Sequence, residues 1–336
     1  MEVALLRKVL LAYGFSSELI DAHYYKALRD CRDGCMEVKE IIRVTLSNGS
    51  RVVLKCLNAS PEIETTAHFS ELLRIGGVRT PQTFRRQEGF CMPITECGVP
   101  LNVLALAYAG DDTPPITPTL MLESGKLLAL MHNVALGSSI RFNRPPRFGF
   151  TRNVLQMESR FMPFSSISDS TRWRQHEALF KIFHDHISLL NDIAVCLPRG
   201  AVQGDFGFHN FYGTDKEPGI FDYNLAGDEC LAGDMLFEGV CLVFRHWQSY
   251  PDQCGFICWE HFAEGYMSAR RLSDREKDFL GIGHRVLLAA LLANHLSLNH
   301  ICEDRDQTVE IGYVTAILKG TREPWQLIRQ LIRYGF

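Results

Sequence analysis

The stretch Gln203-Gly204-Asp205-Phe206-Gly207-Phe208-His209-Asn210, followed twelve positions later by Asp222, constrains this chain more than any other feature. It sets an aspartate, an asparagine five residues on, and a second aspartate at the end of the β-like run Gly219-Ile220-Phe221-Asp222. Carboxylate and amide oxygens suit a hard cation, and a further carboxylate suits deprotonation of a hydroxyl. Phosphoryl transfer asks a protein for little more than these groups, held in place. The fold must therefore bring one loop and one strand end together.

Asp, Gly and Asn are also common in turns, so the context decides. Upstream, Gln175 to Leu197 reads as an amphipathic helix with Leu179, Ile182, Phe183, Ile187, Leu190, Ile193 and Ala194 on one stripe. Downstream the chain is short and β-rich. Asp205-Phe206-Gly207 also spells the metal-binding triplet of protein kinases. That alignment would need an upstream aspartate with Asn five residues on; Asp185 and Asp192 have none and fall inside the helix. Asp205 is therefore read as the base, with Asn210 and Asp222 as the metal ligands.

The net charge of -4 argues against a general nucleic-acid binder. The longest apolar run, Val286 to Ala293, stops at Asn294-His295, short of a membrane span. Glu2, Arg7 and Lys8 interrupt the N-terminal apolar pattern, which suits a helix with Val3, Leu6, Val9 and Leu10 on one face rather than a secretory signal. Eleven scattered cysteines fit a reducing, cytoplasmic setting. Cys31-x3-Cys35 and Cys254-x3-Cys258 lack zinc spacing.

Strand character begins at Glu37, with Val38, Ile41, Ile42, Val44 and Leu46. Ser47-Asn48-Gly49-Ser50 then predicts a hairpin into the strand Arg51 to Leu57. Pro61 to Ile75 reads as a helix, begun by Ser60 and Pro61 and ended by Gly76-Gly77. Thr83 to Arg86 and Phe90 to Ile94 suggest a second hairpin, turning at Gln87-Glu88-Gly89. Beyond Gly98 helices are expected over Leu120 to Leu136, Asp234 to Tyr250, Cys258 to Arg271, Arg275 to Leu298 and Gln307 to Leu318, with an irregular connection over 138–170. The expectation is an α+β chain of two parts, a small β-rich part over 1–97 and a large helical part over 98–336, with a nucleotide at their junction.

Lys55 lies on the second strand of the Asn-Gly hairpin, where its ammonium can meet nucleotide phosphates and a helix carboxylate. Glu62, Glu64 and Glu71 are the candidates for that carboxylate, and Glu64 is preferred for its place early in the helix. Asp30-Cys31-Arg32-Asp33-Gly34-Cys35 has one Gly and is either a phosphate-touching turn or a plain one. Met92 and Ile94, in Phe90 to Gly98, are assigned to the nucleobase by position at the junction.

These residues resemble the aminoglycoside phosphotransferase and choline kinase-like superfamily, small-molecule relatives of the protein kinases. The family loop reads His-Gly-Asp-x4-Asn and is followed by a strand ending Ile-Asp-Phe. Here the loop is Gln203-Gly204-Asp205-x4-Asn210, then Ile220-Phe221-Asp222-Tyr223. Leu127 to His132 is similar to the family's Leu-Ala-x-Leu-His helix, Gly77-Val78-Arg79-Thr80-Pro81 to the end of the helix after the lysine strand, and Ala226-Gly227-Asp228 with Asp234 to the segment after the metal aspartate. The likeness spans residues 37 to 240. It implies a protein-kinase-like two-lobe fold, Asp205 as base, Asn210 and Asp222 on Mg²⁺, Lys55 on phosphate, and ATP (or GTP) as donor to a hydroxyl of a small molecule. It also implies that Asp234 supports the catalytic loop and that His132 is a packing residue. Gln203 stands where the family has His, and its amide can both donate and accept.

Two functions follow as expectations. One is a small-molecule kinase, whose acceptor could be aminoglycoside-like, choline-like or another hydroxylated metabolite; Glu303, Asp304 and Asp306 form either an acidic wall for a cationic acceptor or a solvated loop. The other is a nucleotide- or partner-binding module with the same fold and no turnover, motivated by Gln203 and the lone Gly34.

Overall fold

The structure, a computed structural model, describes residues 1–16, 18–26, 38–155, 170–249 and 255–298. The chain begins with helix α1 (Val3–Ala12), whose Leu6, Val9 and Leu10 are buried at the expected spacing. Strands β1 (Leu19–Lys26), β2 (Val38–Leu46), β3 (Arg51–Asn58), β4 (Cys91–Glu96) and β5 (Val99–Ala107) form one antiparallel sheet in the order β1-β2-β3-β5-β4. The expected hairpin joins β2 to β3: Gly49 sits at φ 79°, and Asn48 Oδ1 accepts from Ser50 N at 2.9 Å. Helix α2 (Glu62–Ile75) follows, with Ser60 Oγ accepting from Glu62 N at 3.3 Å.

The two sheet faces have different tasks, and strand register assigns them. Cys56, Val103 and Met92 align across β3, β5 and β4; Lys55, Leu104 and Cys91 align one residue away and so point to the other face. The first face packs on α1, through Ile42, Val44, Leu54, Cys56 and Val103. On the second, Leu57 and Leu104 meet Ile63 and Ala67 of α2.

Two expectations for this part change. The second hairpin is β4–β5, turning at Cys97-Gly98 with φ 51° and 78°; Arg86 and Gly89 form only an isolated bridge. Strand β5 carries the sheet to Ala107, so sheet gives way to helix after residue 107 rather than at 97. Its alternation is hidden because Leu101, Val103 and Ala105 are buried on one face and Leu104 on the other, and a strand covered on both sides reads as a continuous apolar run. The edge strand β1, Leu19–Lys26, lies before the point where strand character is expected to begin.

Helix α3 (Pro118–Leu136) opens the helical part, capped by Thr117 Oγ1, which accepts from Leu120 N at 3.1 Å. Helix α4 (Ser170–Val195) precedes β6 (Arg199–Val202), the loop that carries Asp205, β7 (Phe211–Gly213), β8 (Pro218–Ile220) and β9 (Gly227–Cys230). Strand β6 pairs with β9 and β7 with β8, antiparallel. Helices α5 (Leu231–Ser249), α6 (Gly255–Ala269) and α7 (Asp274–Leu298) complete the described fold, with α3 on α6 and α4 on α7. The expected helix over 307–318 lies outside the described residues. Among the described residues no helix is long and apolar enough to cross a membrane.

Helices α3 and α6 meet backbone to backbone. A Cβ on Gly125 would overlap the Phe262 carbonyl, and one on Gly265 would overlap that of Leu122. Glycine costs about 1 kcal/mol in a helix interior, so close approach explains its place here. Gly265→Ala should lower the unfolding free energy by about 2 kcal/mol or more, since backbone cannot give way as a side chain can. Gly137→Ala, whose Cβ would lie 3.6 Å from its nearest neighbour, should change stability by under about 1 kcal/mol. Denaturant melts of the two variants check both.

Candidate active site

The turn after β6 is built around Gln203, a side chain only 1% exposed. Its Oε1 accepts from Asp205 N at 2.7 Å, while its Nε2 donates to Asp222 O at 2.6 Å. One carboxamide thus joins the two aspartates' main chains. Phe206 is driven into the helical core, edge-on to Phe211 at 4.9 Å, which anchors the loop and leaves the half-buried Asp205 carboxylate beside it. Asn210 Nδ2 donates to Asp205 O at 2.8 Å and to Asp205 Oδ2 at 3.1 Å, and His209 Nε2 lies 3.1 Å from the same Oδ2. Phe221 N donates to Asn210 O at 3.0 Å, which draws the strand end to the loop. Asp222 itself sits at φ 66°, an uncommon conformation for a non-glycine residue.

Lys55 reaches across from β3. Its Nζ lies 2.9 Å from Asp222 Oδ1, and the ammonium is buried. The expected partner Glu64 is elsewhere: its carboxylate accepts from Phe90 N at 2.7 Å and Cys91 N at 3.0 Å, tying α2 to the start of β4. Partial burial pulls the Glu64 carboxyl up, but those two N–H bonds outweigh it and hold the group below its ordinary range. Glu62 pairs with Arg144 at 2.7 Å, and Glu71 with Arg74 at 2.5 Å. Toward Lys55, α2 presents Thr66, Ala67 and Ser70, beside a solvent-open cleft of about 370 Å³ that Asp222 and Leu104 also line.

Met92 and Ile94 also need correction. Both are buried in the cluster under α1, on the sheet face opposite Lys55. Residues sharing the face of Lys55 are Ile41, Val53, Leu104 and Leu106; alternation about Lys55 would have marked Ile41 and Val53. The segment that leads from sheet to helix is 108–117. The turn over 30–35 and the acidic residues 303–306 lie outside the described residues.

No known family profile matches the sequence, and no curated protein sequence does. Solved structures do match. An aminoglycoside phosphotransferase from Alicyclobacillus acidocaldarius is 13% identical, with a TM-score of 0.59, over 94% of this chain and 93% of that one. The amicoumacin kinase hAmiN, solved with AMP-PNP, Ca²⁺ and amicoumacin, is 16% identical, with a TM-score of 0.56, over 98% and 93%. A microcompartment-associated aminopropanol kinase is 15% identical, with a TM-score of 0.56, over 94% of each. The fold is that of the aminoglycoside phosphotransferases and related small-molecule kinases.

In this small-molecule kinase fold a divalent cation needs oxygen donors beside the phosphates. Asn210 spends its Nδ2 on Asp205, which leaves Oδ1 for a cation, and Asp222 adds a carboxylate that is one-third exposed. Among the described residues no cluster of three or more His, Cys, Asp or Glu could hold a metal alone.

Asp234 and His132 meet deeper in the helical part, His132 Nε2 to Asp234 Oδ2 at 3.0 Å, with His132 Nδ1 2.7 Å from Tyr266 Oη. Burial pushes His132 down to about 3, aided by the Arg270 charge, and pushes Asp234 well above the carboxylate range, aided by Glu229. The folded pair therefore carries one titrating proton, wherever it sits between them. The unfolded pair carries two below about pH 4, one from about pH 4 to 6.5, and none above. Its contribution is flat between those values and falls as pH rises past about 6.5, by about 1.4 kcal/mol per pH unit until the buried acid ionises. Asp234→Asn keeps a depressed His132 without the acid, so that variant should be flat above about pH 6.5 and lose stability as pH falls below it. Denaturant melts from pH 5 to 8 separate the two profiles.

Proposed function

We propose that the protein is a small-molecule kinase that moves the γ-phosphate of ATP (or GTP) to a hydroxyl of a small acceptor. The observation that carries this reading is the join of loop and strand: Gln203 bonds Asp205 and Asp222 at once, while Lys55 meets Asp222 from the sheet. The nucleobase would lie against Val53 and Leu106, near the segment 108–117, with Lys55 at the phosphates. Asp205 Oδ would take the proton of the acceptor hydroxyl as its oxygen bonds to the γ-phosphorus and the bond to the bridging oxygen breaks. Asn210 Nδ2 and His209 hold that carboxylate in place. Mg²⁺, held by Asn210 Oδ1 and Asp222, would supply charge neutralisation at the phosphates.

The acceptor class is drawn from the neighbours, whose names are those of kinases or phosphotransferases for amicoumacin, aminopropanol and spectinomycin. An aminoglycoside-like, choline-like or other hydroxylated metabolite is the acceptor proposed. A cytoplasmic setting is proposed with it, supported by the free thiols of Cys56, Cys91, Cys97, Cys196, Cys230 and Cys241. The competing reading, a nucleotide-binding module without turnover, rests on Gln203 standing where His is usual; the two short bonds of its carboxamide speak against it.

The test is Mg²⁺-dependent ATP consumption across aminoglycosides, choline, ethanolamine, aminopropanol and homoserine. Asp205→Asn should lower turnover by about 100-fold or more, the usual contribution of a positioned base, with nucleotide affinity kept. Nucleotide binding without turnover on every acceptor would favour the module.

A further inference from the structure

Each carboxylate of α2 has a partner other than Lys55: Glu62 has Arg144, Glu64 the amides of Phe90 and Cys91, and Glu71 has Arg74. A direct lysine–helix pair therefore does not register α2 against the metal-side residues. A different contact does. Residues 142–147 run along the loop that follows Asp222. Asp228 Oδ2 accepts from Phe142 N at 2.9 Å and Asn143 N at 2.7 Å. Asp228 N donates to Arg144 O at 2.7 Å, and Arg147 N to Leu225 O at 3.1 Å. The approach leaves no room for side chains on the facing turns. A Cβ on Gly227 would overlap Pro145 and Pro146, and one on Gly204, beside Asp205, would press on Pro146 and the Leu225 carbonyl.

The same strap holds α2. Phe69 of α2 is edge-on to Phe142 and to Tyr223, each at 5.8 Å, and Tyr223 directly follows Asp222. Glu62, at the first turn of α2, closes the contact through Arg144 Nε at 2.7 Å. Both charged side chains are about one-third exposed, and an isolated pair of that kind does little for stability. This pair differs because the Arg144 carbonyl accepts from Asp228 N at the start of β9, so a pull on the guanidinium acts on that strand and on the loop that leads to it from Asp222.

We propose that Glu62 and Arg144 are positioning residues, which set Asp222 relative to Lys55 through the strap 142–147. The proposal rests on the nucleotide site of the preceding section. It concerns how well the site takes a metal–nucleotide complex rather than whether the chain folds.

The experiment is calorimetric titration with AMP-PNP, in excess Mg²⁺ and in EDTA. The proteins are the unaltered chain, Glu62→Gln, Arg144→Met, and the reversed pair carrying Glu62→Arg with Arg144→Glu. The gain in affinity that Mg²⁺ confers on the wild type should fall about three- to tenfold in each single variant, the range of coupling between contacting groups. Affinity in EDTA should hold, and the reversed pair should recover most of the gain. Thermal melts without ligand should show all four folded, with a smaller loss in the reversed pair than in the sum of the single changes. A Mg²⁺ gain unaltered in both single variants would overturn the proposal. So would affinities in EDTA and in Mg²⁺ that fall by one common factor, the mark of general loosening. Wild-type protein that binds no AMP-PNP in either buffer would remove the nucleotide reading itself, and this proposal with it.

Discussion

The buried carboxamide of Gln203 is the contact on which the site depends. The loop ending at Asn210 and the strand end at Asp222 lie twelve residues apart in the chain, and in the proposed kinase their backbones must be held at one spacing for Asp205 and Asp222 to act on one phosphate. A single side chain with a donor at one tip and an acceptor at the other does this, at 2.6 and 2.7 Å, out of contact with water. In a low-dielectric interior such bonds are strong when made and costly when lost. The one to the Asp222 carbonyl braces a residue whose left-handed conformation few side chains adopt.

The sheet supplies the other half by a division of labour between its faces. Residues in register with Cys56 close over α1 and give the sheet its core; residues in register with Lys55 look toward the helical part. A one-residue slip in β3 would bury the lysine under α1 and turn Cys56 to the cleft. The Asn48-Gly49 turn therefore matters to the cleft as well as to the sheet, because it sets the register that carries the ammonium.

Much of this was legible in the sequence, for reasons that can be named. That Asp205, Asn210 and Asp222 would come together could be read because their spacing in the chain is short. The helix over Glu62–Ile75 could be bounded because its start and stop are written in Ser60, Pro61 and Gly76-Gly77. Strand β5 could not, since burial on both faces erases the alternation by which a strand is recognised. Glu64 looked like a partner for Lys55 because helical position says which residues share a face, and not which distant amides will claim a carboxylate. Met92 and Ile94 failed with β5: once that strand was missed, the junction was placed one hairpin early. Arg144 lies in a stretch without periodicity, where only tertiary contacts show what a residue meets.

The ion pair between Lys55 and Asp222 has a bearing on the order in which ligands arrive. A divalent cation alone would meet a carboxylate whose charge is already balanced by an ammonium at 2.9 Å. A nucleotide brings phosphates that can take the ammonium over, and so releases the carboxylate in the same event that delivers the cation. In the proposed kinase the resting pair would act as a filter against bare metal, favouring a cation escorted by phosphate over one drawn from solution.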